Sequence, residues 1–480
     1  MQIKSVMKIL GLLLIIFSIT IIIPIIVSII YQDNQAWYFF ITLIITLATG
    51  LMFWIPAVNY KVELKLRDGF IIVSLIWLIL SFFGALPFIM SESLKLSNTN
   101  AVFESISGLT TTGSTILNKI SGLPESILFY RQFLQWLGGL GIVVLVVAIF
   151  PILGSGGMLL YKAEAGSIKK KVTPRITETA KWLWVVYVTL TIFCSTMYFI
   201  AGMNIFDSIC HSLSTISTGG FSTRNESFGF YDNQWIELVA IFFMIAGSLN
   251  FSLHYLALKN KSISPYRNDT ETFFFIFLII LLSTLIILYT YNQDGVLRSR
   301  EIIAHSFNAV SILTSTGFTN STYNSYLGFV PLILILFSFI GGCAGSTTGG
   351  MKTIRVVLLA KNSYRQLKKL IHPNSKIKIK FSNTVISDKT IEIICVFFTM
   401  YIFFFLTALL LLMFSGLDFL TSFSAVAAAI NNVGAGHGEV LYSCESLSDF
   451  NKWILCFIMI IGRLEIFTLL VIFTPDFWKK

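Results

Sequence analysis

Four short stretches of this sequence carry the residue types that line cation filters. They are Thr111-Thr112-Gly113-Ser114, Ser217-Thr218-Gly219-Gly220, Ser315-Thr316-Gly317-Phe318 and Asn432-Val433-Gly434-Ala435. Main-chain carbonyls that converge on one axis can replace the hydration shell of a cation. Turning them inward demands backbone angles that a Cβ resists, which is the use of a glycine in each copy. One Ser-Thr-Gly is uninformative. Four of them, each after a short helical run and between two long apolar stretches, indicate an internal fourfold repeat. The candidate filter residues are therefore Thr111, Thr112 and Gly113; Ser217, Thr218 and Gly219; Ser315, Thr316 and Gly317; and Asn432, Val433 and Gly434. In this alignment the equivalent glycines follow Thr112, Thr218, Thr316 and Val433. A single equivalent glycine per loop predicts a short filter, with weaker discrimination among cations than a two-glycine potassium-channel loop. None of the four signatures contains Asp or Glu, which argues against a carboxylate ring of the calcium type.

A second candidate site is Gly341-Gly342-Cys343-Ala344-Gly345-Ser346-Thr347-Thr348-Gly349-Gly350, in the middle of an apolar run. A lipid-facing helix cannot accommodate such a stretch, because its freed backbone groups would go unsatisfied; at this depth it must line protein or water. We read it as a flexible intramembrane gate below the filter, formed by Gly341, Gly342, Gly345, Ser346, Thr347, Thr348, Gly349 and Gly350 with Lys352 just after it; the alternative is a static kink. Arg463 is the one basic residue well inside an apolar span. A charge at the bilayer centre costs roughly 2.5–3.5 kcal/mol or more. Arg463 is therefore expected to face the carbonyls or hydroxyls of 341–350, with snorkelling to the inner surface as the alternative. Glu465, two positions on, lies about 200° around the helix and faces elsewhere; near the inner end, it is expected to meet a basic loop residue.

The elements that must position these sites follow from hydropathy. The chain has 480 residues, 55% of them apolar and 12% charged, with a mean hydropathy of +0.80. This composition belongs to polytopic membrane proteins. Ten runs are long enough to span: 9–30, 37–58, 69–90, 126–150, 182–202, 234–257, 273–291, 329–360 (interrupted), 390–414 and 452–473. The first is too long for a signal-peptide core and is kept as a helix. With both termini inside, Lys and Arg concentrate in the inner loops. The net charge of +10 is thus mainly a topology signal, and nucleic acid is not an expected partner.

The resulting architecture is an all-α polytopic membrane protein: a two-helix prefix (1–60), then four helix–pore-loop–helix repeats at 61–160, 178–257, 270–360 and 388–474 around a pseudo-fourfold pore. Segments 100–109, 205–216, 301–313 and 418–430 are too short to span and read as pore helices. Gly138-Gly139-Leu140-Gly141-Ile142, Gly247-Ser248-Leu249-Asn250-Phe251 and Gly462-Arg463-Leu464-Glu465-Ile466 share a Gly-x-Leu-x-apolar pattern at similar distances after their filter glycines, and Gly341-Gly342 begins the corresponding stretch in the third repeat. Small residues of this kind suit close helix crossing.

Other chemistry is not indicated. His211, His305 and His437 lie near the outer pore without metal-ligand spacing, and hydrogen-bonding roles are expected. The six cysteines lack a C-x-x-C pair and read as small apolar residues. No paired-carboxylate or Ser/His constellation supports an intramembrane hydrolase, so the chain is not expected to be an enzyme. The inner segment 361–389 is rich in lysine and suits either lipid headgroups or a cytosolic subunit.

Thr110-Thr111-Thr112-Gly113, Ser217-Thr218-Gly219-Gly220-Phe221-Ser222-Thr223-Arg224, Gly341–Gly350 with Met351-Lys352, and Ile461-Gly462-Arg463-Leu464-Glu465-Ile466-Phe467 together resemble the TrkH branch of the Trk/Ktr/HKT potassium transporters. The resemblance covers essentially the whole chain, and the two-helix prefix favours this branch over its shorter KtrB relatives. It implies K+ as the transported ion, a homodimer in the bacterial cytoplasmic membrane, and a cytosolic nucleotide-binding TrkA ring as partner. Gly113, where sodium-selective plant relatives carry serine, favours potassium. Asn432-Val433-Gly434-Ala435 departs from the family's Ser/Thr-Thr-Gly pattern. The expected function is channel-like potassium uptake through the four-loop filter, gated by the Gly-rich loop and Arg463. An H+- or Na+-coupled secondary transporter is the alternative, for which Glu465 is the membrane carboxylate in view.

Overall fold

Polar caps at one end and a left-handed residue at the other define the four short helices on which the molecule is built. They are Asn98–Leu109, Ile205–Ile216, Ser299–Leu313 and Phe419–Ile430. The computed structural model describes residues 2–60, 66–148, 176–295, 298–326, 328–382 and 384–479; the limits of the first repeat at 61–65 and 149–160, and the end of the expected 126–150 span, lie outside these. Side chains of Ser97, Asn204 and Asp418 accept from the N–H groups of Asn100, Asp207 and Thr421, and so close the first, second and fourth helices. In the third, the Glu301 carboxylate accepts from Arg298 N–H at 3.2 Å. Each helix then stops at a non-glycine residue of positive φ: Thr111 (54°), Thr218 (52°), Ser315 (55°) and Asn432 (50°). Twelve residues rise about 18 Å, roughly half a bilayer core. Most of each helix is buried, its C-terminal turns completely.

A long helix leads into each short one: Leu66–Met90, Ile176–Ile200, Thr270–Asp294 and Asp388–Phe414. The trailing helices differ from one another. The first is Glu125–Ala148. The second, expected as one span at 234–257, breaks after Ser248 and turns by 97° into Phe251–Asn260. Asn250 causes this: it is extended, and its side chain caps the new helix at Ser252 N–H. The fourth, expected at 452–473, turns by 112° between Asp449–Arg463 and Phe467–Phe473, where Glu465 and Ile466 both have positive φ. Hydropathy reports the length of an apolar run, not its direction. The third trailing helix, Phe329–Ser338, gives way to the Gly-rich segment and resumes as Thr353–Ile371, which runs into a two-stranded hairpin (Lys380–Phe381 with Thr384–Val385).

The prefix is an antiparallel pair, Ile3–Tyr31 and Ala36–Ala57, crossing closely at Gly11 and Gly50. Asp33 joins it to the first repeat by accepting from Ser126 N–H at 2.8 Å. Large apolar side chains cover the outside, with Ile30 68%, Phe273 75% and Phe414 87% exposed. Such a surface requires lipid, not water, around it.

Candidate functional site

The four loops after the short helices close into a ring. Thr112, Gly219, Thr316 and Val433 each donate their N–H back to Ser107, Ser214, Ser311 and Ala428 at 2.8–2.9 Å. The next residue in each loop is a glycine of positive φ: Gly113 (86°), Gly220 (85°), Gly317 (81°) and Gly434 (79°). A Cβ on Gly113 would collide with the carbonyl oxygen of Gly219, one on Gly220 with that of Thr316, one on Gly317 with that of Val433, and one on Gly434 with that of Thr112. The contacts run from loop one to two, three, four and back to one. A side chain at any of the four glycines would force the neighbouring loop's carbonyl to shift.

This geometry corrects the register in loop two. The sequence pattern pairs Gly219 with Gly113, Gly317 and Gly434; in the structure Gly220 takes that place, and Gly219 corresponds to Thr112, Thr316 and Val433. The shared signal is a left-handed residue, then any residue, then glycine, which the recurring Ser-Thr-Gly text obscures. The fourth loop keeps the common backbone despite its different sequence. Asn tolerates the left-handed region, and Asn432 Nδ2 donates to Thr112 Oγ1 and Met459 O, both at 2.9 Å. Ser217 precedes the left-handed residue and caps its helix through Oγ to Leu213 O at 2.8 Å. Above the ring, Gly113, Gly220, Gly317 and Gly434 floor a solvent-open cup of about 80 Å³ whose wall includes Arg224.

Below the ring lies the Gly-rich segment, held at many points. Thr347 is its hub. Its N–H and Oγ1 donate to Gly247 O (3.3 and 3.1 Å), its Oγ1 also reaches Ile216 O at 3.0 Å, and Thr218 Oγ1 donates to it at 3.3 Å. Arg463, 3% exposed, donates from Nη1 to Thr347 O at 2.8 Å and from Nη2 to Gly138 O at 3.4 Å. It faces the segment and does not snorkel. Ser346 Oγ bonds Cys343 O and Thr348 Oγ1, and the Lys352 ammonium donates to Thr348 O and Oγ1. Gly349 packs directly beneath Asn431 O, where a Cβ would collide. Gly341 and Gly350 have positive φ and touch each other, closing the base of the excursion, while Gly342 abuts the Thr348 side chain and Gly345 that of Asn250. Gly138, Gly247 and Gly462 press on Leu109 O, Ile216 O and Ile430 O, the last residues of their own short helices; Gly341 and Gly342 do not take this role.

Several residues of this site carried no pattern in the sequence. Arg131 and Glu104 form a fully buried ion pair at 2.7 Å. Arg131 also donates to Ser222 O and Thr115 Oγ1, both at 3.1 Å, and lies 4.3 Å over the Phe221 ring, so it joins loops one and two. One turn further along the same helix, Gln135 bonds loop two. Glu271, at the start of the third leading helix, accepts from Ala344 N–H (2.8 Å) inside the Gly-rich segment and from Ile354 N–H (3.1 Å) in the helix that follows it. Their common signal was a polar residue in or beside an apolar run. Glu465 pairs with Arg355. The histidines hydrogen-bond locally: His211 with Asp207 O and Ser222 Oγ, His305 with Tyr326, and His437 with Tyr323. Among the described residues no cluster of His, Cys, Asp and Glu could hold a metal ion, and the six cysteines are free thiols.

A mostly helical chain with a lipid-suited exterior, in which four non-identical loops close on one another, has the architecture of a polytopic membrane transporter. Comparison with known proteins identifies the family. Residues 33–480 match the family model TrkH, cation transport protein. Over 485 aligned residues and the whole of both chains, the sequence is 44% identical to the Trk system potassium uptake protein TrkH of Vibrio parahaemolyticus and 45% identical to that of Escherichia coli K12. The crystal structure of the potassium transporter TrkH from Vibrio parahaemolyticus superposes with a TM-score of 0.93 at 43% identity, covering all of both chains. This chain belongs to the TrkH family.

Proposed function

We propose that this protein takes up potassium across the bacterial cytoplasmic membrane by passive, channel-like flux. The observation that carries this reading is the closed ring of Thr112, Gly219, Thr316 and Val433 carbonyls against the four glycines. The filter comprises Thr111–Gly113, Ser217–Gly220, Ser315–Gly317 and Asn432–Gly434. Carbonyl oxygens carry partial negative charge without a titratable proton, so they suit a dehydrating monovalent cation. The gate comprises Gly341–Gly350, Lys352 and Arg463. Arg463 and Lys352 set two positive charges under the ring and hold the segment through its carbonyls. Both termini face the cytoplasm, and the basic inner stretch 361–389 is the docking surface for a nucleotide-binding ring of the TrkA type, with the transporter acting as a homodimer.

Ion-coupled symport would require a membrane carboxylate free to exchange a proton or Na+. Among the described residues, Glu104 holds Arg131, Glu465 holds Arg355, and Glu271 holds two main-chain N–H groups. Passive flux is therefore favoured. The test is the reversal potential of the purified protein in liposomes under opposed K+ and Na+ gradients. Passive flux gives a current that reverses near the K+ equilibrium potential. Uptake that stops when a proton or Na+ gradient is removed would overturn it.

A further inference from the structure

We infer that Gln135 is a specificity-determining residue that stands in for the side chain missing from loop two. This rests on the filter reading above and deepens it. Loops one, three and four place Thr112, Thr316 and Val433 at the position before the ring glycine, where a side chain packs behind the loop. Loop two has Gly219 there, followed by Gly220. Two consecutive glycines are the least constrained backbone available, yet Gly219 must present its carbonyl in register with the other three. Gln135, fully buried on the trailing helix of the preceding repeat, supplies the constraint. Its Nε2 donates to Gly219 O at 2.6 Å; its Oε1 accepts from Ser214 Oγ at 2.7 Å and from Phe221 N–H at 3.2 Å. The amide orientation follows from chemistry. Phe221 N–H can only donate, so Oε1 must face it and Nε2 must face the carbonyl. The side chain also fills the space behind the loop: a Cβ on Gly219 would overlap the Gln135 amide. Glycine at 219 and glutamine at 135 are thus one unit.

A carbonyl oxygen has two lone pairs. One can bond Gln135 while the other faces the ion, so the clamp fixes direction without removing the ligand. Among the described residues, Gly219 O is the one ring carbonyl that accepts a side-chain hydrogen bond, while those of Thr112, Thr316 and Val433 accept none. Loss of the clamp leaves loop two free to rotate its carbonyl away, and the ring then discriminates by three fixed ligands in place of four.

The experiment compares wild type with Gln135→Met, which keeps the volume and removes both bonds, and Gln135→Glu, which keeps the acceptor for Phe221 N–H and Ser214 but sets an oxygen against Gly219 O. Purified protein in liposomes is read for its K/Na permeability ratio and, separately, for thermal stability. Losing one neutral hydrogen bond from the ring is expected to lower the ratio about fivefold, equivalent to ~1 kcal/mol. Gln135→Glu should lower it at least as far. A second pair guards against misfolding. Gly219→Ala should lose uptake, and Gln135→Ala in the same chain should restore part of it by vacating the space. An unchanged ratio in folded Gln135→Met, with Gly113→Ser still altering selectivity, overturns the clamp and leaves the filter reading intact. An unchanged ratio in both would remove the filter reading and the clamp with it. Failure of Gln135→Ala to restore any uptake to folded Gly219→Ala also counts against the unit.

Discussion

Replacing Arg463 is the sharpest perturbation of the proposed gate. Its guanidinium makes one well-formed bond to Thr347 O (2.8 Å) and one long bond to Gly138 O (3.4 Å), while its Nε is buried without a partner. The second bond is long enough to contribute little. A hydrogen bond from a charged donor is worth ~1.5–3 kcal/mol, so removing Arg463 should shift the gate by ~2 kcal/mol, or about thirtyfold in its open–closed equilibrium. Arg463→Ala and Arg463→Gln are therefore expected to raise rubidium uptake into proteoliposomes by up to that factor. Arg224→Ala, at the outer mouth and paired with Asp207 at 2.7 Å, should have a much smaller effect. Charge and hydrogen bonding separate through Arg463→Lys, which keeps the positive charge and loses the planar fork. A lysine variant as tight as wild type makes repulsion of the cation dominant, since charge acts strongly in low dielectric. One as leaky as glutamine makes the tether to Thr347 dominant. If none of the three alters uptake, the contact with 341–350 is packing and Arg463 is no part of a gate.

Three further outcomes are expected. Gly113→Ser, at a φ of 86° and against Gly219 O, should lower discrimination against Na+ in a folded protein, read as a smaller K/Na permeability ratio. Shortening Gly342–Gly349 by a few residues should raise ion flux, because it removes the plug and leaves the ring; flux at background in a folded protein would make the segment structural. Arg131→Met strands Glu104 as an unpaired buried charge and should cost ~3–5 kcal/mol, read as a lower midpoint in a thermal melt, with Glu104→Gln in the same chain recovering part of it.

The fold was legible because its signals are repeated. Ten apolar runs, four short polar-capped segments and four glycines each support the others. What remained hidden was direction and register. The bends at Asn250 and Glu465–Ile466 do not interrupt hydropathy, so they do not show in it. Gly219 and Gly220 are both glycine, and the N–H of Gly219 reaching Ser214 O, in parallel with Thr112, Thr316 and Val433, together with the positive φ of Gly220, shows which is which. Glu104, Arg131, Gln135 and Glu271 were missed for another reason. Each is a lone polar residue whose partner lies elsewhere in sequence, and such a residue has no spacing to recognise. Arg463 was found because a guanidinium deep in an apolar span needs acceptors, and 341–350 offered the most.

The placement of the Gly-rich segment in the third repeat has a physical basis in the trailing helices. Gly138, Gly247 and Gly462 each let a trailing helix press against the end of its own short helix, and any Cβ there would meet a carbonyl or crowd it. Those three crossings make a tight collar under the ring. In the third repeat the helix stops at Ser338, before such a crossing, and Gly341 and Gly342 contact Gly349, Gly350 and Thr348 instead. The chain released from the collar fills the space beneath the ring, and its backbone groups bond to Ser248 and Gly247 of the second repeat, Arg463 of the fourth and Glu271 of its own leading helix. Asymmetry between the repeats thus gives the proposed gate both its location and its partners. Glu271 binds Ala344 within the segment and Ile354 in Thr353–Ile371, and Thr353 itself donates to Gly342 O and Gly341 O, so that inner helix is tied to the segment by a carboxylate as well as by its own first residue. Glu271→Gln, which keeps an acceptor, should retain regulated uptake, while Glu271→Ala should raise basal uptake. Equal uptake by the two variants and wild type would mean that the inner helix moves the segment by another route.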